Sequence, residues 1–218
     1  MLVVFDLDGT LLDGYAAIGD ALGHAMKRLG LPEPSPAEVR SMVGHGLERL
    51  LEKAVGRDRA AEGVRLFRER YPHVALEKSE LMPGVPAVMA ELSRTGHTMA
   101  LASNKPPEFS RMILDAKGIG RCFRSVGGPD QNTPAKPDPT MLFRILEETG
   151  GRPFETVVVG DMEVDAEMAR AAACLVVLIP GGSRSREELA SVDSDGLLDR
   201  LDRLPEWLEK QALGRPSS

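Results

Sequence analysis

Short apolar runs alternate with amphipathic stretches along most of this chain. The runs lie at Leu2–Phe5, Met99–Ala102, Val157–Val159 and Leu175–Ile179. Polar or glycine residues follow each run, which is typical of buried parallel strands. Between Val85 and Leu92, apolar residues recur at helix spacing on one face. This alternation predicts an α/β fold with a Rossmann-like core built on a doubly wound, mainly parallel sheet.

The segment 14–81 interrupts this alternation. It contains no convincing strand, and its apolar stripes at Ile18–Leu29, Leu47–Val55 and Val64–Tyr71 have helix spacing. The stripes predict a small α-helical cap, residues 14–81, inserted into an α/β core of residues 1–13 and 82–218. The first stripe predicts packing within the cap, with a homodimer interface as the alternative.

Composition limits the kinds of partner. The 218 residues carry 33 acidic and 27 basic side chains, a net charge of -6, so a basic surface for nucleic acid is not expected. No apolar run approaches the ~18 residues of a membrane span, and no membrane association is expected. Cys122 and Cys174 have neither disulfide nor zinc spacing, which favours a reducing cytoplasm. Residues 214–218 are predicted to be a frayed tail.

Polar clusters follow the first two apolar runs. Asp6 and Asp8 come directly after the first run. Such a pair can supply a nucleophile and a general acid or base, or can bind a hard cation, and an Asp-rich turn is the alternative. Ser103 and Asn104, in a Ser-Asn-Lys motif, follow the second run at a predicted helix N-terminus. That position suits a phosphate oxygen or, alternatively, a simple helix cap.

Two further clusters lie towards the C-terminus. Lys136, in Lys-Pro-Asp-Pro, is a candidate point charge for an anion, with a solvated loop lysine as the alternative. Asp161 follows the third run, and Asp165 lies one helical turn later. Ligands of open α/β sheets bind at the carboxyl ends of the strands, so the four clusters are expected to meet there. Several carboxylates in one small site need a compensating cation, and oxygen ligands beside a phosphate indicate Mg²⁺.

In this order the motifs resemble those of the haloacid dehalogenase superfamily. The matching motifs are Asp6–Thr10 (Asp-x-Asp-Gly-Thr), Ser103, Lys136 and Gly160–Asp165 (Gly-Asp-x-x-x-Asp). The cap and its segment Val43–Leu47 are similar to the α-helical cap of the phosphoglycolate phosphatase-like subgroup. The resemblance covers nearly the whole chain. It implies a cytoplasmic, Mg²⁺-dependent phosphatase that acts on a small phosphorylated metabolite, with 2-phosphoglycolate as a candidate.

The resemblance also implies a role for each site residue. Asp6 attacks phosphorus and becomes an aspartyl-phosphate, while Asp8 protonates the leaving group and then activates water. Ser103 binds a phosphoryl oxygen, with Asn104 beside it in the substrate site. Lys136 holds Asp6 and the phosphoryl group by its charge. The implied metal ligands are Asp6, the backbone carbonyl of Asp8, and Asp161, with Asp165 in support.

Two positions in the predicted cap and several departures from the family pattern also bear on function. His45, between two glycines, and Arg49, one turn later, are candidates to contact substrate from the cap, and a glycine turn with a surface histidine is the alternative. Four residues depart from the family pattern: Gly14 stands where Ser or Thr is often seen, Met162 where Ser is common, and Ala173 where Gly often follows an Ala pair, while Ser103 replaces the commoner Thr and keeps the hydroxyl.

The second acid, Asp8, discriminates among the possible activities. A halide leaving group needs no proton, so Asp8 favours phosphate esters over haloacids. It does not separate a phosphatase from a phosphosugar mutase, which needs the same acid and remains the alternative. A phospho-acceptor signalling domain is disfavoured because it would be about half this length, would lack the cap and would place its acceptor Asp after the third strand. A non-catalytic binding protein would not need both Asp6 and Asp8.

Overall fold

The four apolar runs form the centre of a six-stranded parallel sheet. The structure, a computed structural model, describes residues 1–213. Its strands are β1 (Leu2–Phe5), β2 (Leu12–Asp13), β3 (Glu80–Leu81), β4 (Thr98–Ala102), β5 (Phe123–Gly127), β6 (Thr156–Gly160), β7 (Leu175–Leu178) and β8 (Gly196–Leu197). The large sheet has the order β5-β4-β1-β6-β7-β8, and every pair in it is parallel. The predicted α/β fold with a mainly parallel sheet is confirmed.

Helices cover both faces of this sheet. They are α1 (Tyr15–Arg28), α2 (Pro36–Met42), α3 (Leu47–Val55), α4 (Arg57–Ala75), α5 (Val85–Arg94), α6 (Pro107–Ala116), α7 (Thr140–Thr149), α8 (Glu163–Ala171), α9 (Arg186–Leu189) and α10 (Leu204–Leu213). Val3 and Phe5 of β1 belong to the apolar cluster that includes α5 and α6, whereas Leu2 and Val4 belong to the cluster of α7 and α8. Successive strand residues point to opposite faces, so burial on both faces explains the continuous apolar run.

Four helices, α1–α4, lie between β2 and β3. The two short strands pair antiparallel, with Leu12 opposite Leu81, which brings the two ends of this helical segment together. The segment α1–α4 is called the cap here, and the large sheet with its other helices the core. Ile18 and Leu22 of the first predicted stripe are buried against the other helices of the segment. This burial matches packing within the chain. The short helix α2 was not predicted; it begins after Ser35, whose side chain and that of Glu38 form a reciprocal capping box.

The sequence pattern missed four strands. β2, β3 and β8 have two residues each, and β3 falls inside the segment where no strand was expected. Two residues cannot establish a periodicity. β5 lies at the edge of the sheet and contains Arg124 and Ser125. An edge strand tolerates polar residues that a central strand excludes, so β5 carries no continuous apolar run.

No helix among residues 1–213 is both long enough and apolar enough to cross a bilayer. The frayed tail predicted at 214–218 lies outside the described residues.

One backbone conformation departs from the usual preference. Ala173 follows the end of α8 and has a φ of 54°, in the left-handed region. Its side chain is exposed. Glycine is the usual residue at such a position because a Cβ in this conformation meets the backbone.

Replacing Ala173 by glycine is therefore expected to stabilise the protein by about 0.5–1 kcal/mol. The free energy of unfolding from urea titration would measure the change. Ala61→Gly, at an exposed position inside α4, is the matched control and should destabilise by roughly the same amount. Equal destabilisation by both changes would contradict the role of the left-handed conformation.

Candidate active site

Three neighbouring strands deliver polar side chains to one edge of the sheet. Asp6 follows β1, Ser103 follows β4 and Asp161 follows β6, and these strands lie side by side in the sheet. The Asp6 backbone N–H donates to the Val159 carbonyl at 2.8 Å, which holds this end of β1 against β6. The carboxyl ends of parallel strands thus place the predicted clusters together.

Lys136 joins the clusters from the loop before α7. Its ammonium donates to Asp6 Oδ1 at 2.6 Å, to Asp165 Oδ1 at 2.7 Å and to the Ala102 carbonyl at 2.9 Å. An ammonium has three N–H donors, so these contacts use all of them. Burial would lower the pKa of Lys136, but Asp165 and then Asp6 outweigh burial and hold the pKa above its ordinary value. Lys136 is therefore charged and fixed in place.

Three buried carboxylates gather around this lysine. Asp6, Asp161 and Asp165 each offer an oxygen within 4.8 Å of the others. Burial, followed by the charge of Asp6, raises the pKa of Asp161 well above its ordinary value. Burial also raises the pKa of Asp165 to about 6, against the opposing charge of Lys136. One ammonium does not neutralise three carboxylates, so the cluster has unbalanced negative charge.

The oxygens of this cluster differ in their freedom to bind a cation. Asp161 Oδ1 is buried without a hydrogen-bond partner among the described residues, and Oδ2 accepts the Ser183 backbone N–H at 2.5 Å. Asp165 has both oxygens engaged, one by Lys136 and the other by the Met162 N–H at 3.1 Å. Carboxylate oxygens with a surplus of negative charge suit a hard divalent cation such as Mg²⁺. The residues present therefore fit a metal, with Asp161 better placed to bind it than Asp165.

Asp8 belongs to a second ion pair beside this cluster. Its Oδ2 lies 2.9 Å from Lys105 Nζ, and Lys105 also donates to the Tyr71 hydroxyl at 2.7 Å. Burial raises the pKa of Asp8, against the lowering effect of Lys105. Asp8 Oδ1 is buried without a hydrogen-bond partner in the described chain. Gly14 lies next to this oxygen, since a Cβ added at Gly14 would be 2.6 Å from it, but glycine has no hydroxyl to donate.

Sequence reasoning did not select Lys105 or Tyr71 as site residues. Lys105 stands two residues after Ser103, in the Ser-Asn-Lys motif, so its proximity to a predicted phosphate contact was an available signal. Tyr71 lies on α4 of the cap and is the last member of the apolar stripe Val64–Tyr71. Nothing in that spacing indicates which member of the stripe reaches the core.

Asn104 connects the cap to the core. Its amide Nδ2 donates to the Gly44 carbonyl at 2.9 Å and to the Lys136 carbonyl at 3.2 Å, and its Oδ1 accepts the Lys136 N–H at 2.7 Å. Met162 also lies directly against Gly44, where a Cβ would overlap its sulfur. The structure thus gives Asn104 a bridging position between the cap loop and the loop that carries Lys136.

The predicted cap residues lie elsewhere. Arg49 is exposed and pairs with Glu52 at 3.2 Å. His45 is half-buried, and its Nδ1 has no hydrogen-bond partner within residues 1–213. Neither side chain belongs to the lining of the cavity between cap and core. A glycine-flanked sequence position does not reveal the direction of its side chain, which the packing of α3 decides.

A cavity of about 60 Å³ lies between the cap and the polar edge of the sheet. The polar side chains that line it from the core are Asp6, Asp8, Ser103, Asn104, Lys105, Lys136 and Asp165. The cap contributes Ile18, Val43, Leu47, Leu50, Phe67 and Tyr71. Apart from the Tyr71 hydroxyl, these cap side chains are apolar, so the cap presents an apolar surface to the charged groups.

Comparisons with known proteins agree with this architecture. The model of the haloacid dehalogenase-like hydrolase family matches residues 3–179. A phosphoglycolate phosphatase of Vibrio parahaemolyticus is 34% identical over 215 residues, which cover 94% of each chain. A phosphoglycolate phosphatase of Aquifex aeolicus is 34% identical over 177 residues, covering 81% of this chain and 83% of its own.

A solved structure shares both fold and sequence similarity. The crystal structure of a predicted phosphoglycolate phosphatase from Haemophilus somnus superposes with a TM-score of 0.86 and 26% identity, over 94% of this chain and 96% of that one. The chain belongs to the haloacid dehalogenase-like hydrolase family. The predictions of this family and of a phosphoric monoester hydrolase are confirmed.

The raised pKa of Asp165 predicts how stability depends on pH when no metal is present. A carboxyl group with a raised pKa holds its proton more tightly in the folded state than in the unfolded state. Stability therefore falls as the pH rises from about 4, the ordinary value for aspartate, to about 6, the folded pKa of Asp165. In a chelator, the stability of Asp165→Asn relative to the wild type should rise by roughly 2 kcal/mol over this range.

Urea titrations at a series of pH values would measure this difference. Asp58→Asn, an exposed position on α4, is the control and should run parallel to the wild type. Parallel curves for Asp165→Asn as well would show that Asp165 is not held protonated by its surroundings.

Proposed function

We propose that this protein is a Mg²⁺-dependent phosphatase of small phosphate monoesters, with 2-phosphoglycolate as its leading substrate, and that it works through an aspartyl-phosphate on Asp6. The observation that carries the proposal is the pairing of the Asp6 carboxylate with the ammonium of Lys136, all of whose donors are used, next to Asp8 in the lining of one cavity. This arrangement combines a nucleophile, an acid and a fixed positive charge where a phosphoryl group would react.

Each step uses a side chain of the cavity. Asp6 attacks phosphorus while Asp8 gives a proton to the departing alkoxide. Asp8 then takes a proton from the water that hydrolyses the phosphorylated Asp6. Lys136 and Ser103 lie beside Asp6 in the cavity lining. Lys136 stabilises the phosphoryl oxygens by its charge, and the Ser103 hydroxyl donates a hydrogen bond to one of them. Asn104, through its bonds to the Lys136 and Gly44 backbones, keeps the loop and the cap in position.

The surplus of negative charge supports the metal. Asp6 and Asp161 would hold Mg²⁺ together with the Asp8 backbone carbonyl, while Asp165 orients Lys136 and supports the cluster. When bound, Mg²⁺ neutralises charge on the phosphoryl group and on the carboxylates. Asp161 Oδ1 is buried without a hydrogen-bond partner among the described residues, and this free carboxylate oxygen favours a metal ligand.

The largely apolar lining that the cap gives the cavity supports the choice of substrate. A hexose leaving group would need polar partners for its hydroxyl groups in the cap, where the side chains that line the cavity are apolar apart from the Tyr71 hydroxyl. The relatives named phosphoglycolate phosphatase point in the same direction. A cytoplasmic location and the division into a core and a cap of residues 14–81 belong to this proposal. A homodimer stays a prediction.

Activity assays test the proposal directly. Purified protein should release inorganic phosphate from 2-phosphoglycolate with Mg²⁺ and lose this activity in a chelator. Asp6→Asn should abolish turnover, whereas the exposed control Asp58→Asn should retain it. Transfer of phosphate between sugar phosphates without net release would support a mutase instead. Turnover of no ester, or full activity of Asp6→Asn, would refute the proposed function.

The role of Asp8 predicts a dependence on the leaving group. An alkoxide needs a proton to depart, whereas p-nitrophenolate leaves readily without one. Asp8→Asn should therefore lower kcat for 2-phosphoglycolate by roughly 10²–10⁴-fold, and for p-nitrophenyl phosphate by at least about tenfold less. Steady-state kinetics with both esters measure the two losses. Equal losses would mean that Asp8 does not act as the acid.

A further inference from the structure

Two buried lysines line the cavity, and they differ in their spare hydrogen-bonding capacity. Lys136 uses three donors on Asp6, Asp165 and the Ala102 carbonyl. Lys105 has two polar partners in the described chain, Asp8 and the Tyr71 hydroxyl. An ammonium has three N–H groups. Lys105 therefore has one donor to offer to a molecule in the cavity, and Lys136 has none.

The residues around Lys105 determine which kind of substrate group this donor can bind. Its side chain is 6% exposed, so its charge is largely removed from water. From the cap, Tyr71 meets the ammonium through its hydroxyl and places its ring 4.8 Å away. The neighbouring cap residues Phe67 and Leu50 are apolar. A substrate group that reaches this corner meets the unused N–H of a largely desolvated ammonium, and a negatively charged acceptor makes the stronger hydrogen bond to it.

Lys105 also lies close to the point where the ester bond would break. Its ammonium is 2.9 Å from Asp8 Oδ2, and Asp8 is the acid proposed to protonate the ester oxygen. One hydrogen bond thus separates Lys105 from Asp8, and one more would separate Asp8 from the ester oxygen. An anionic group attached a few bonds from the ester oxygen can therefore contact Lys105 while that oxygen faces Asp8.

We infer that Lys105, held by Tyr71, binds the carboxylate of a phosphate monoester whose carboxylate lies one carbon from the ester oxygen. This inference rests on the proposed function and deepens it, because it assigns the specificity for 2-phosphoglycolate to one core residue and one cap residue. A carboxylate bound to Lys105 would lie beside Asp8, and the hydrogen bond between Lys136 and Asp6 would stay in place.

The test compares two esters of similar size, 2-phosphoglycolate and ethyl phosphate, which differ in the carboxylate. Wild-type protein should show the higher kcat/KM for 2-phosphoglycolate. Lys105→Met should lower the ratio of the two kcat/KM values by about 10- to 100-fold, the usual effect of losing a hydrogen bond to a charged group. Tyr71→Phe should lower the ratio less, through a higher KM for 2-phosphoglycolate. The exposed control Lys53→Met should leave the ratio unchanged.

Losses of equal size for both esters in Lys105→Met would overturn the inference, because Lys105 would then serve only to hold Asp8. A wild-type protein that does not prefer 2-phosphoglycolate would also overturn it. These outcomes differ from failure of the proposed function, in which neither ester is hydrolysed.

A binding measurement decides the inference independently of turnover. In an Asp6→Asn background with Mg²⁺, 2-phosphoglycolate should raise the Tm more than ethyl phosphate does. Adding Lys105→Met should remove that difference. Equal protection by the two esters before Lys105 is changed would contradict a carboxylate site.

Discussion

The ammonium of Lys136 is the interaction on which the site depends. It joins Asp6 after β1, the Ala102 carbonyl of β4 and Asp165 of α8. A buried charge is costly unless each of its donors is satisfied, so the three elements must meet at one geometry for the lysine to be tolerated. These contacts compensate the buried charge of Lys136. One of them also fixes the Asp6 carboxylate in the lining of the cavity.

This requirement leaves a charge imbalance that function can use. One lysine faces three carboxylates, and Asp161 keeps a buried oxygen without a partner among residues 1–213. Lys105 does not correct the imbalance, because it pairs with Asp8 instead. The site thus separates into a region suited to a cation, around Asp161, and a region suited to an anionic substrate group, around Lys105. A net charge of -6 for the chain does not describe either region.

The central part of the fold was predictable because burial on both faces leaves a simple mark. β1, β4, β6 and β7 are continuous apolar runs, and Asp6, Ser103 and Asp161 follow three of them directly. β5, at the edge, mixes Arg124 and Ser125 with apolar residues, and no apolar run marks it. For the site, order along the chain indicated which core residues meet. It did not indicate that both oxygens of Asp165 are already engaged.

By itself, then, the sequence determined the four central strands of the sheet and the helical character of the segment that follows β2. It also indicated which core side chains meet, because strand ends converge at one edge of any parallel α/β sheet. Tertiary structure alone decided which cap residues reach that edge. Tyr71 contacts Lys105, whereas Arg49 faces solvent beside Glu52. The docking angle of the cap helices sets this outcome, and that angle results from many packing contacts between α1, α3 and α4 and not from any local spacing of residues.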